Sequence, residues 1–241
     1  MTRAPLDQTR GETMPFFQDG QTAQLSCNEV ASLCMKAARG AGMSWGMAEE
    51  AGFAASWLVS HGIDGPTHLC AHLKRADGRD WADLCPTITP GTWQNSKGNP
   101  LCPIILGATL CDYAALPEGP VAGCRIALGP VAAPILLVPF LTHIAETRDL
   151  VLDLTWPGGT LVIDPDKDCL ATAEPSLSDA AEPLTLAVRT AAPHRSGTVT
   201  RPNAHTTAQT IAALNTFAMR TTVPATEASR AGAGSALSDN D

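Results

Sequence analysis

Two adjacent carboxylates, Glu49 and Glu50, follow the Trp45-Gly46 pair and are the groups best suited to acid–base chemistry. A carboxyl beside an indole loses hydration, and desolvation raises its pKa toward the range where it can take and return a proton near neutrality. The competing explanation is structural, because acids early in a helix complement the macrodipole without any reaction. Lys36 and Arg39 close the preceding helix beside the same turn. There they can complement that helix's dipole, pair with the two acids or hold an anion. Ser44 and Trp45 belong to the turn itself, and Asn95 in Trp93-Gln-Asn-Ser-Lys97 either lines a cleft or serves turn geometry. Toward the end of the chain, Arg220, Ser229 and Arg230 precede Gly232 and Gly234. Guanidinium forks and backbone amides there have the makings of an anion-binding lip, while the same composition describes an ordinary loose terminus. The candidate site is therefore Glu49 and Glu50 as catalytic groups, with Lys36, Arg39, Ser44, Trp45, Asn95, Arg220, Ser229 and Arg230 as ligand-binding groups.

Other constellations are weaker. His68 and His72 stand one helical turn apart, which is metal-ligand spacing, but Leu69 occupies the place of the Glu in a His-Glu-x-x-His motif and no third ligand is evident. A polar helix face is the simpler reading of the pair. Cys102, in Pro100-Leu-Cys-Pro103, would be a nucleophile if a histidine lowered its pKa, but no partner is visible nearby and a buried cysteine is the simpler reading. Gly40-Ala-Gly42 lacks the spacing of a dinucleotide fingerprint, and no Gly-x-Ser-x-Gly elbow or phosphate loop occurs. No metal is assigned, and no cofactor is indicated.

The composition narrows the partners. A net charge of −8 with basic residues scattered singly, as at Arg39, Arg125 and Arg189, opposes nucleic-acid binding. The longest apolar run, Val131 to Leu141, is shorter than the ~18 residues that suggest a membrane span, and Pro134 and Pro139 interrupt it. The N-terminus lacks the apolar core of a signal peptide, so a cytoplasmic location is expected. The eight cysteines contain no Cys-x-x-Cys pair and read as reduced, mostly buried small hydrophobes.

The elements that must position these groups begin at Ser26-Cys-Asn-Glu29, a capping box followed by Val30, Leu33 and Ala37 at helical spacing. Gly40 to Gly42 ends that helix, and Ser44 caps a second one that lays Ala48, Ala51, Ala55 and Leu58 along one stripe. Small side chains let helix axes approach closely, which predicts an antiparallel helical hairpin turning at Gly40 to Met43. Asp64-Gly-Pro66 opens a third helix to about Arg75, and Trp81 to Pro100 reads as loop. Strands are expected at Val121 to Leu128, Pro134 to Leu141, Leu150 to Trp156, Thr160 to Asp164 and Leu184 to Val188, with a hairpin at Pro157-Gly-Gly159. A last helix spans about His205 to Arg220. The expected fold is α+β, with an N-terminal helical hairpin packed against a mainly antiparallel sheet and a C-terminal helix. Residues 1–25 are expected to form a flexible N-terminus and 26–221 one domain, helical over 26–76 and sheet-bearing over 101–190. Residues 222–241 form a glycine-rich C-terminal segment.

The block from Lys36 to Gly52 and the block from Arg220 to Gly234 resemble signatures of a bacterial family known as domain of unknown function 3726. That resemblance, read as spanning most of the chain, implies a bacterial source and a single folding unit. It carries no mechanism, and no catalytic residue comes from it. Two functional classes follow from the residues. One is a small-molecule enzyme acting on an anionic carboxylate or phosphate metabolite where the glycine turn, the Trp93 loop and the Arg220 to Arg230 stretch converge. The other is a non-catalytic subunit or partner protein of a metabolic enzyme, or a homo-oligomer, docking through the alanine-rich helix face.

Overall fold

A computed structural model describes residues 22–165, 177, 181–191 and 203–221. After a short strand, β1 (Thr22–Ala23), the chain enters α1 (Cys27–Gly40) through the capping box expected there. Ser26 Oγ accepts from the Glu29 amide, and the Glu29 carboxylate accepts from the Ser26 amide. Gly42, at φ +94°, takes the left-handed conformation that turns the chain, while Gly40 is the last helical residue. Gly40 serves a different purpose from the cap expected of it. A Cβ there would lie 1.7 Å from the carbonyl oxygen of Phe217, so its missing side chain admits the C-terminal helix.

Ser44 caps α2 (Trp45–Ser60), whose Ala48, Ala51, Ala55 and Leu58 are fully buried, so the alanine-rich face expected to dock a partner is closed inside the fold instead. At Gly52 a Cβ would stand 2.6 Å from the Ala31 carbonyl oxygen of α1, which is the close helix approach that the alanine stripe predicts. Asp64 accepts from the Thr67 amide to open α3 (Gly65–Ala76), with Pro66 in the first turn where its missing N–H costs nothing.

The stretch from Trp81 to Pro100 is more structured than a loop. It contains a 3-10 turn (Trp81–Leu84) and a hairpin of β2 (Thr87–Thr89) and β3 (Thr92–Gln94). A helix unmarked in the sequence reading, α4 (Pro103–Asp112), follows. Its residues are apolar almost all round, so no polar face betrays a helical period. β4 (Arg125–Val131) starts later than expected. The expected strand at Pro134 to Leu141 is instead a 3-10 turn (Pro134–Leu137) running into α5 (Val138–Arg148). Each proline sits at the start of its turn, the position where proline favours a helix. β5 (Leu150–Trp156) and β6 (Gly159–Ile163) form the predicted hairpin, and β7 (Glu182–Thr190) pairs with both β4 and β5. β8 (Thr206–Thr207) pairs with β1, and Thr207 caps α6 (Ala208–Ala218).

The six-stranded sheet has the order β2-β3-β4-β7-β5-β6, antiparallel except where β3 meets β4. Leu152, Leu154, Leu186 and Val188 carry one face into a core shared with α4 and α5. On β5 and β7 the Arg189 guanidinium grips the Asp153 carboxylate through two bonds of 2.7 Å. The fold is α+β, as expected from the sequence.

Candidate functional site

The hairpin separates the two adjacent acids. Consecutive residues on a helix diverge by about 100°, so Glu49 points into solvent while Glu50 turns half-buried toward the end of α4 and the middle of α5. Burial raises the Glu50 carboxyl above its ordinary value, Asp112 and Glu49 add to the rise, and His143 opposes it. Both acids lie beyond the first turn of α2, which removes the simple dipole explanation. The indole is not the cause of the rise either. Trp45 is 64% exposed, and its ring is covered by the Arg39 guanidinium, 4.7 Å from the ring centroid.

The predicted cations are occupied elsewhere or stand apart. Arg39 donates to the Met43 carbonyl and so ties the end of α1 to the start of α2. Its Nε is buried without an acceptor among the described residues. Arg220 donates to both carboxylate oxygens of Asp77, at 2.6 and 3.0 Å, and lies over the Phe217 ring at 4.4 Å. It clamps the end of α6 to the end of α3. Lys36 faces solvent in an open groove of about 370 Å³ between α1 and α6, alongside Asn28, Ser32 and Asn215, where no residue of α2 contributes.

Asn95 follows its turn-chemistry reading. Its Nδ2 donates to the Asp83 and Cys85 carbonyls, both at 2.9 Å, and its Oδ1 accepts from the amides of Lys97 and Asn99. Trp93 is fully buried edge-on against Tyr113 and offers nothing to a cleft. Ser44 Oγ accepts from the Met47 amide as the cap of α2. Ser229 and Arg230, with the glycine-rich segment they belong to, lie outside the described residues. The structure therefore gathers Arg39, Ser44 and Trp45 around the start of α2, turns Glu50 away toward α4 and α5, and leaves Lys36, Asn95 and Arg220 with neighbours of their own.

Cys102 gains the histidine that its sequence surroundings lacked. His72 Nε2 lies 3.3 Å from Cys102 Sγ, across 30 residues of chain. Both side chains are sealed, and burial pushes the thiol up to about 12 and the imidazole down to about 4. The pair is thus neutral thiol and neutral imidazole, the reverse of the thiolate–imidazolium arrangement that activates a nucleophile. His72 leaves the polar helix face expected for it and becomes a core residue. Among the described residues no group of three or more His, Cys, Asp or Glu side chains is placed to hold a metal ion, and no helix is long and apolar enough to cross a membrane.

A second arrangement was legible in the sequence but passed over. Trp45, Glu49, Phe53 and Trp57 recur at every fourth residue of α2, with His61 following as its C-cap, and drift by about 40° per step from the exposed Trp45 to Trp57, which packs against the core. Phe53 is 37% exposed and meets Phe140 edge-on at 5.5 Å. The half-buried Trp57 stacks on His61 at 3.7 Å. Helical spacing of aromatics was the available signal.

These helices fall within a family match. The model described as protein of unknown function (DUF3726) covers residues 25–102. The match assigns that stretch to the family. It runs from the cap of α1 to Cys102 and includes the Lys36 to Gly52 block. The Arg220 to Gly234 block, which resembles the same family, lies beyond it, so the match is shorter than the span expected from the sequence. No curated protein and no solved structure matches the chain.

Proposed function

We propose that the protein is a non-catalytic binding protein that docks a partner protein on the outer face of α2. The observation that carries this reading is the series of Trp45, Phe53 and Trp57 along α2, about two turns and then one turn apart, with Trp45 standing 64% exposed at its end. Tryptophan, phenylalanine and arginine are enriched at the centres of protein interfaces. The helix beneath is rigid, because Gly52 sets it tightly against α1 and its alanines are buried. A rigid ridge loses little freedom on binding.

The enzymatic reading has one support, the raised Glu50 carboxyl near His143. Its anion-holding half has less, because Arg39 is bound to Met43 and Arg220 to Asp77. The docking reading therefore takes precedence. A photo-crosslinking residue placed at position 49 or 53 in the source cell should give a discrete protein adduct, and the same residue at Val162, exposed on β6, should not. Equal labelling at all three positions, or none at 49 and 53, would remove the reading.

A further inference from the structure

Resting on that docking reading, we infer that the partner of α2 is a basic amphipathic helix, which lays its apolar stripe along Trp45, Phe53 and Trp57 and its cations against Glu49, Glu50 and Asp112. The charge on this face is one-sided. Between Trp45 and Ser60 the helix carries two acids and no lysine or arginine. Asp112, at the end of α4, adds a third carboxylate near Glu50, and Asp112 and Glu49 both disfavour ionisation there. Anions held together beside an apolar row repel one another until a cation comes between them.

The cations already in the neighbourhood leave that charge unmet. Arg39 gives its guanidinium to the Met43 carbonyl and to the face of Trp45, at the far end of the row. His143 favours the ionised Glu50, against two acids that oppose it. An anionic membrane surface would be repelled by this face, whereas a lysine-bearing helix is drawn to it. The dimensions agree, since Trp45 to Trp57 spans about 18 Å and an apolar stripe of three to four turns covers it. Two helices packed side by side meet by setting the side-chain ridges of one into the grooves of the other.

The test uses the full chain and two synthetic helical peptides with the same leucine stripe, one with lysine and one with glutamine on the polar face. Titration calorimetry at low salt should give saturable binding of the lysine peptide at least tenfold tighter than of the glutamine peptide. Binding should weaken at least tenfold in Trp45→Ala/Phe53→Ala, which leaves the net charge unchanged, and also in Glu49→Gln/Glu50→Gln. If neither double variant alters binding of the lysine peptide, the attraction is diffuse and the inference falls. Equal affinity for both peptides also overturns it, yet spares the docking reading if crosslinks form at 49 and 53. If sedimentation reveals a dimer that Trp45→Ala/Phe53→Ala dissolves, the occupant is a second copy and the basic helix is excluded. Absence of adducts at 49 and 53 removes the docking reading itself.

Discussion

His72 Nε2 and Cys102 Sγ meet at 3.3 Å inside the core, joining α3 to the residue that starts α4. The imidazole holds its pKa near 4 against an ordinary 6.5 because burial excludes the water that a cation needs. Protons therefore bind the unfolded chain first. The folded state loses stability as pH falls from about 6.5 toward 4, by on the order of 3 kcal/mol at this site. Denaturant unfolding across that range should show the loss, and His72→Leu should flatten it. On the alkaline side the thiol, raised to about 12 from 9.0, keeps its proton in the fold and gives it up in the unfolded chain. Stability should fall again above pH 9, and Cys102 should resist alkylation until the protein unfolds.

Glu50 titrates in the opposite sense to a salt-bridged acid. Its carboxyl is raised by burial, so ionisation weakens the fold as pH rises above the ordinary value of 4.5. Glu50→Gln, which imitates the protonated acid, should raise the melting temperature at pH 7 to 8. The gain should disappear near pH 4, where the wild-type side chain is itself neutral. A gain that persists at pH 4 would point to packing instead of charge.

Two glycines of α2 should respond with opposite signs to the same substitution. Gly52→Ala would drive a methyl into the Ala31 carbonyl of α1, and Ala51→Leu would overpack the core around a fully buried position of the same helix. Each should cost about 1–3 kcal/mol. At Gly46 a Cβ meets nothing within 4 Å, so Gly46→Ala should stabilise by about 0.5–1 kcal/mol through helix propensity alone. Urea midpoints of the three variants provide the comparison.

Asn95 is the hub of its loop, with its carboxamide serving two carbonyls and two amides. Asn95→Ala should cost about 1–3 kcal/mol by leaving the half-buried Cys85 carbonyl and Asn99 amide unpaired, while the Asp83 carbonyl keeps the Asn99 carboxamide as a donor. Asn95→Asp should also destabilise, since a carboxylate can accept from the amides but cannot donate to the Asp83 and Cys85 carbonyls. If Asn95→Asp matched the wild type, the two donated bonds would carry no weight.

Local chemistry alone determined much of this protein. Ser26 with Glu29, Ser44, and Asp64-Gly-Pro66 each mark a helix start because a cap is a contact between near neighbours. The alternation from Leu150 to Trp156 and the Pro157-Gly158-Gly159 turn reveal their hairpin for the same reason. The row Trp45, Glu49, Phe53, Trp57 was equally present in the residue spacing. Tertiary structure decided what depends on distant chain. The apolar run from Val131 to Leu141 suits a buried strand or a buried helix, and packing of α5 on α2, α4 and the sheet selects the helix after Pro134. Glu50 owes its shifted carboxyl to α4 and α5, and not to the Trp45 beside it in sequence. Arg220 finds Asp77, and His72 finds Cys102, only when the helices that carry them are assembled. Spacing along one element is written in the chain, whereas burial and charge between elements arise from which surfaces the whole fold brings together.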